Sequence, residues 1–252
     1  MIEGSAVRKK RRFLDMRELV VQKIPGGKVT DEMLKYAANM FSENYRTWGQ
    51  QSPRYGQRVR AGPRILRNDY LLQNVAASYV RARVDGVLAG HALACTWNCE
   101  DKKVCWVTQL VVAEEYRGQG LAQTLLRALR ADDIDIYGIA SSHPYACRAA
   151  VKSFTGPTEN ISLQFVVQEA GRIMKASPIA YIRDAQLSGS LFHPEDDTGL
   201  VSGVNTNFFV DHIEPLEALH DLQENGLWSL GDLPEGHEFL VMLEKPYRRS
   251  RS

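Results

Sequence analysis

One stretch of the sequence orders its residues as anion chemistry requires: Gln109-Leu-Val-Val-Ala-Glu-Glu-Tyr-Arg-Gly-Gln-Gly-Leu-Ala122. It passes from an apolar, strand-like segment through Glu114 and Glu115 into Arg117-Gly-Gln-Gly-Leu-Ala122, and directly into a helical pattern. A helix start leaves several backbone N–H groups without partners and carries a partial positive charge, which together suit a phosphate. Gly118 and Gly120 lack the Cβ atoms that would hold an anion off, and Arg117 adds a permanent positive charge. The segment therefore reads as a pyrophosphate cradle. It is neither of the common phosphate loops: no G-x-x-x-x-G-K-[ST] is present, and G-x-G-x-x-G would need glycine where Gln123 stands. A lone G-x-G often only turns a chain into a helix, but here strand, arginine, both glycines, the small Ala122 and the helix follow in one order.

Such a cradle needs a strand before it and a helix after it, and the flanking pattern predicts both. Residues 104–112 are apolar enough for a central strand, and residues 118–130 carry Leu121, Leu125, Leu126 and Leu129 on one helical face. A short apolar strand over 134–140 follows, and a strand-helix-strand unit closes as a parallel pair through a right-handed crossover. Upstream, 78–84 and 87–97 read as strands joined at Asp85-Gly86, a strong hairpin signal, so the sheet starts antiparallel and becomes mixed. Residues 18–24 form a further strand, stopped by Pro25-Gly-Gly27. Met33, Leu34, Ala37, Ala38 and Phe41 predict a helix over 31–44, capped by Thr30 or Asp31. Helices over 64–73, 145–154, 161–175 and 215–225, with late strands over 207–212 and 238–244, complete the pattern. Residues 45–63, rich in Arg, Gln, Gly and Pro, read as a long loop near something functional, and the sequence after Pro178 reads as polar loop.

Composition bounds the rest. With 252 residues, 44% of them hydrophobic, the chain can bury a sizeable core. Lys and Arg number 31 against 30 Asp and Glu, so the net charge of +1 excludes a uniformly basic nucleic-acid coat and a strongly acidic chain. No apolar run approaches the roughly 18 residues of a membrane span. The opening MIEGSAVRKKRRF has charge but no apolar run behind it, which predicts no secretory leader and a cytoplasmic protein, with a nuclear address as an alternative reading of Arg8-Lys-Lys-Arg-Arg12. Cys95, Cys99, Cys105 and Cys147 contain no C-x-x-C pair and predict reduced, buried thiols with no metal site. Residues 1–17 and 248–252 read as basic arms flanking one domain over 18–247, with an extended insertion over 156–203.

At the cradle the sequence resembles the GCN5-related N-acetyltransferase superfamily, because Arg117-Gly-Gln-Gly-Leu-Ala122 fits its Q/R-x-x-G-x-G/A motif at every specified position. The resemblance implies an α/β (α+β) fold with a mixed, largely antiparallel central sheet and helices on both faces. It implies acetyl-CoA as the cofactor, its pantetheine arm bonded by backbone groups of Leu110, Val111 and Val112. Amides of Arg117, Gly118, Gln119, Gly120, Leu121 and Ala122 would hold the pyrophosphate, and the strands over 104–112 and 134–140 would splay to admit the arm.

The catalytic groups implied by the resemblance are less plainly written. The family often carries a tyrosine that protonates the departing thiolate, and in Ser142-His-Pro-Tyr-Ala-Cys-Arg-Ala-Ala-Val-Lys-Ser-Phe154 its position falls on Ala149. Tyr145 is one turn nearer the helix start and is the substitute acid, followed by His143 and Ser142. For the base, Gln109 can only orient water, Glu114 and Glu115 read as solvated turn residues, and His91 reads as a sheet histidine unless it faces the slot. Trp48, Tyr55 and the arginines of 54–64 lie where the family forms one wall of the acceptor site. The resulting expectation is transfer of acetyl to a primary amine, on a small molecule or a protein lysine or N-terminus, by direct attack. Neither membrane nor nucleic acid is expected as a partner. Acetylation of Cys147 is a minor alternative within the enzyme class, and a CoA-binding sensor that has lost catalysis is the alternative outside it.

Overall fold

The computed structural model describes residues 17–72, 74–155 and 161–245. Its strands are β1 (Leu19–Pro25), β2 (Ala76–Val84), β3 (Val87–Cys99), β4 (Lys102–Val112), β5 (Ile136–Ser141), β6 (Gln186–Ser188), β7 (Gly203–Asn205) and β8 (His237–Glu244). They form one sheet in the order β1-β2-β3-β4-β5-β8-β7-β6, and every neighbouring pair is antiparallel except β4 with β5. The β2–β3 hairpin turns at Asp85 (φ 51°) and Gly86 (φ 81°), two left-handed residues whose twist matches that of the flanking strands.

Among the described residues the α-helices of at least one full turn are α1 (Asp31–Asn44), α2 (Leu121–Arg127), α3 (Pro144–Phe154), α4 (Leu163–Lys175), α5 (Ala180–Arg183) and α6 (Ile213–Glu224). The Thr30 hydroxyl caps α1 by accepting from the Met33 amide, and Leu34, Ala37, Ala38 and Phe41 turn inward from it. Along β8, Phe239, Val241 and Leu243 join the cluster built with α1, α2 and α3, while Leu240 and Met242 join a second cluster with Phe165, Val166 and Ile173 of α4. That alternation places β8 between two cores. Residues 161–203, the described part of the 156–203 segment read from sequence as additional to the fold, thus supply one of its two covers.

Several local expectations need correction. The helix expected over 118–130 starts only at Leu121, because Gly118 and Gly120 are both left-handed. The expected helix over 64–73 is a helical turn (Pro63–Ile65) running into a π-helical turn (Leu66–Tyr70), with Gln73 outside the described residues. No strand forms over 207–212. Asn207 is left-handed (φ 53°) and Val210 makes one isolated bridge to Trp48, so the partner of β8 is the earlier Gly203–Asn205, with β6 beyond it. The basic runs at 8–12 and 248–252 lie outside the described residues.

The central strands part company. β4 and β5 pair from Val104↔Ile136 to Val107↔Ile139 and no further, while β5 stays with β8 as far as Ser141↔Phe239. At the parting point the β3–β4 register shifts: Leu93 faces Gln109 and Ala94 faces Val107, which leaves Thr108 as an extra residue that bends β4 away. One step before the split, the ring of Trp106 lies over Gly138, where a Cβ would come within 2.2 Å of the indole. Gly138→Ala, which in an open strand would be neutral or favourable, should here cost about 1–3 kcal/mol by overpacking. The expected fall in Tm is several degrees, and an unchanged or raised Tm would show that Trp106 yields freely.

Candidate active site

The cradle is built where β4 ends. Ala113 still donates to the Ala89 carbonyl (3.0 Å), the chain makes one 3-10 turn over Glu114–Tyr116, and Tyr116 is buried beneath it. Gly118 (φ 71°) and Gly120 (φ 84°) then open into α2, which has no side-chain cap, so the amides of its first turn stay available. A Cβ at either glycine would meet nothing within 4 Å, so the space above the loop is open to a ligand. Leu121 and Leu125 anchor the helix against Gly90 of β3.

Arg117 serves differently from the sequence expectation. Its amide donates to the Glu114 carbonyl (3.1 Å), and its guanidinium donates to the carbonyls of Val112 (3.2 Å) and Asn44 (2.7 Å) and to Glu214 of α6 (2.8 Å). Its amide is thus taken, and its guanidinium is directed at protein acceptors. The side chain bolts the end of β4 to the end of α1 and to α6, and the Glu114 amide donates to Oδ1 of Asn44 (3.0 Å). An anion at this loop would meet the amides of Gly118, Gln119, Gly120, Leu121 and Ala122 instead.

Past Val107 one edge of β4 has lost β5, while Leu110, Val111 and Val112 remain paired with Ala92, His91 and Gly90 of β3. Backbone groups on the lost edge can bond an extended ligand as an added strand would.

Tyr145 and His143 stand at the start of α3, as the sequence suggests, yet both are engaged with α6. The Tyr145 hydroxyl donates to Asp221, the residue is 46% exposed, and burial together with that carboxylate pushes its pKa up to about 12. His143 caps α3 by accepting from the Tyr145 amide at Nδ1 (3.2 Å), which leaves Nε2 facing Glu214 (3.4 Å). Glu214 is held down at about 2 by the His143 bond and the charge of Arg117. These two residues are clasps in the present arrangement rather than free acids. Cys147 is buried, its Sγ directed at the Ser141 carbonyl (3.8 Å), and burial raises its thiol pKa, which removes it as a nucleophile. All four cysteines are free and buried.

His91 is fully buried, its Nε2 lies 2.8 Å from Oε1 of Gln109, and burial lowers its pKa to about 4, so it is a neutral sheet residue. Trp48 packs edge-on to Phe208 (5.2 Å), whereas Tyr55 is 63% exposed and joins no wall.

Sequence reading missed Glu238. Antiparallel pairing of Ser141 with Phe239 puts Ser142 opposite Glu238 one step beyond the ladder, on the same face of the sheet. Glu238 is enclosed by protein yet keeps partial access to water, and burial raises its pKa despite a bond from Thr206 and the nearby charge of Arg46. Tyr45, Tyr70 and Tyr181 feel its charge. Around it Tyr70 and Tyr181 are 5.7 Å apart, Tyr45 and Phe208 6.2 Å, and the Tyr181 hydroxyl donates to the carbonyl of the extra residue Thr108 (3.2 Å). Tyr45, Arg46, Tyr70, Tyr181, Phe208 and Glu238 are all half-buried and form one cluster beside the β4–β5 split.

The fold and site together define an acyl-transfer architecture. Residues 37–136 match the model of the Acetyltransferase (GNAT) family, a span from within α1 to the first residue of β5 that includes the whole cradle. Residues 37–136 are accordingly a GNAT-type acetyltransferase region, as the motif suggested. Among solved structures it is similar to a ribosomal-protein-alanine N-acetyltransferase from Brucella melitensis biovar Abortus (20% identity over 44% of this chain and 70% of that one, TM-score 0.31). It is also similar to an aminoglycoside acetyltransferase from an uncultured soil metagenomic sample (12% identity, 44% of this chain and 66% of that one, TM-score 0.32). A third likeness is to a glucosamine N-acetyltransferase region of a fungal multi-domain GH3 beta-N-acetylglucosaminidase (20% identity, 51% of this chain but 14% of that one, TM-score 0.36). These scores are low, so the assignment rests on the family match and the site. No curated protein matches the sequence significantly. Among the described residues no helix is long and apolar enough to cross a membrane, and no cluster of His, Cys, Asp and Glu could hold a metal ion.

Arg117→Ala should lower the Tm of the ligand-free protein by several degrees, because it removes charge-assisted bonds worth about 1–3 kcal/mol and leaves two carbonyls short of a donor. An unchanged Tm would show that α1, β4 and α6 are held together otherwise. Because Glu214 is depressed from its ordinary 4.5 to about 2, its stabilising effect is present above the first value and lost as pH falls towards the second. Wild type should therefore lose more stability across that window than Glu214→Gln, as read by urea unfolding at each pH, and equal losses would mean the clasp contributes nothing.

Proposed function

We propose that the chain transfers the acetyl group of acetyl-CoA to a primary amine by direct attack within a ternary complex. The observation that supports this most is that two separate openings fall on one strand: the β4 edge freed beyond Val107 and the uncapped start of α2 behind Gly118 and Gly120. A turn into a helix needs the glycines but gives no reason for the sheet to divide. The residues fit acetyl-CoA, since the positive-φ glycines leave open space over the amides and the freed edge accepts an extended arm. When bound, acetyl-CoA supplies a thioester whose C–S bond breaks as the amine forms a C–N bond.

The amides of Gly118 to Ala122 hold pyrophosphate, and Leu110, Val111 and Val112 hold the arm. Glu238 takes the proton of the attacking amine at a carboxylate oxygen, and its raised pKa makes it a stronger base than an exposed glutamate. Ser142 is the proton relay we assign for the leaving sulfur: its Oγ accepts from Arg46 (2.9 Å), bonds the Tyr45 side chain, and takes back from solvent the proton it passes to sulfur. Tyr145 would first have to release Asp221. Small molecules and protein amines both remain within this reading.

Acetyl-CoA at about 100 times its dissociation constant should stabilise the protein by ~2.7 kcal/mol, a Tm shift of about 5–10 °C, with desulfo-CoA nearly as effective. Gly120→Glu should stay folded and show no shift, since a carboxylate would occupy the phosphate space. No shift with wild type at millimolar acetyl-CoA would remove the reading, and binding without transfer to any amine would favour a sensor. Ser142→Ala should lower turnover ~10²-fold or more while Tyr145→Phe changes it little. The reverse pattern would return the acid's role to Tyr145.

A further inference from the structure

The side-chain cluster beside the split holds opposite charges that are not paired with each other. Arg46 reaches in from the end of α1 and donates to Ser142 Oγ (2.9 Å), and Glu238 stands opposite Ser142 across β5 and β8, yet among the described residues the two form no ion pair. Each feels the other's charge. Half-buried charges held apart in this way are costly unless something else completes them. The remaining hydrogen-bonding capacity points the same way. His212, whose pKa responds to Arg46, is 7% exposed and has both ring nitrogens buried without a partner. The other carboxylate near Arg46, Glu214, is already committed to Arg117 and His143. The rest of the cluster is the rings of Tyr45, Tyr70, Tyr181 and Phe208.

Resting on the acyl-transfer reading, we propose that the acceptor is a dipolar amine of the α-amino-acid class, its ammonium set against Glu238 and its carboxylate against Arg46. A purely cationic amine would satisfy Glu238 but meet the guanidinium. A carboxylate on the same molecule meets a donor fork suited to it, and the rings receive an apolar body. The ammonium loses two protons through Glu238 to solvent, and one is returned to sulfur through Ser142. The nitrogen forms its bond to the acetyl carbon as the C–S bond breaks, giving the N-acetylated acid and free CoA thiol.

The test titrates the CoA-loaded protein by calorimetry with the common protein amino acids. For the tightest binder it then uses the corresponding decarboxylated amine and deaminated acid, for example L-phenylalanine against phenethylamine and 3-phenylpropionate. The amino acid should bind at least about tenfold more tightly than either fragment. Glu238→Gln should abolish its advantage over the deaminated acid, and Arg46→Met its advantage over the amine, with Arg46→Lys retaining part of it. The CoA-induced Tm shift, preserved in each variant, reports that the fold and cradle are intact. If CoA itself does not bind wild type, the acyl-transfer reading fails. If CoA binds but no amino acid does, or the simple amine binds as tightly, the acceptor assignment is overturned and acyl transfer stands.

Discussion

The proposed site depends on one structural constraint, that β4 leaves β5. The two strands are parallel neighbours held for four residue pairs and then released, although each continues. A parallel pair that stops in mid-sheet exposes backbone groups that must find other partners. β5 solves this by staying with β8, and β4 by staying with β3 through a shifted register at Thr108. What is left is a strand edge inside the protein, aligned with a helix start. The packing of Trp106 on Gly138 fixes the point of release from below, since no larger residue fits under the ring.

A divided sheet would be weak at its seam without a brace, and the brace is largely electrostatic. Arg117 ties the end of β4 to α1 and α6, and the start of α3 is tied to α6 through His143 with Glu214 and Tyr145 with Asp221. α6 thus spans both sides of the split from outside the sheet. The charged residue most tempting as a phosphate ligand is used for architecture, and in the proposed reading a phosphate is left to backbone amides.

Legibility followed distance along the chain. The hairpin at Asp85-Gly86, the capped helix after Thr30 and the glycine loop were readable because each is decided by residues a few positions apart. The bracing contacts of Arg117 were not readable because its partners, Asn44 and Glu214, are 73 and 97 positions away. Glu238 was invisible for the same reason: its place beside Ser142 follows from a strand register set between distant segments. The apolar run Phe208-Phe-Val210 resembled a strand, but the left-handed Asn207 before it turns the chain, and Phe208 joins the side-chain cluster beside the split instead of a ladder. Short β6 and β7 carry too few residues to show a period at all.

Amide hydrogen exchange with and without desulfo-CoA reads the divided sheet most directly. The account predicts slowed exchange confined to two places, the β4 amides among Leu110, Val111 and Val112 that face the split and the amides of Gly118 to Ala122, with β1 and β2 unchanged. Binding that leaves both sets at their ligand-free rates would contradict the assignment of the split as the cofactor's slot.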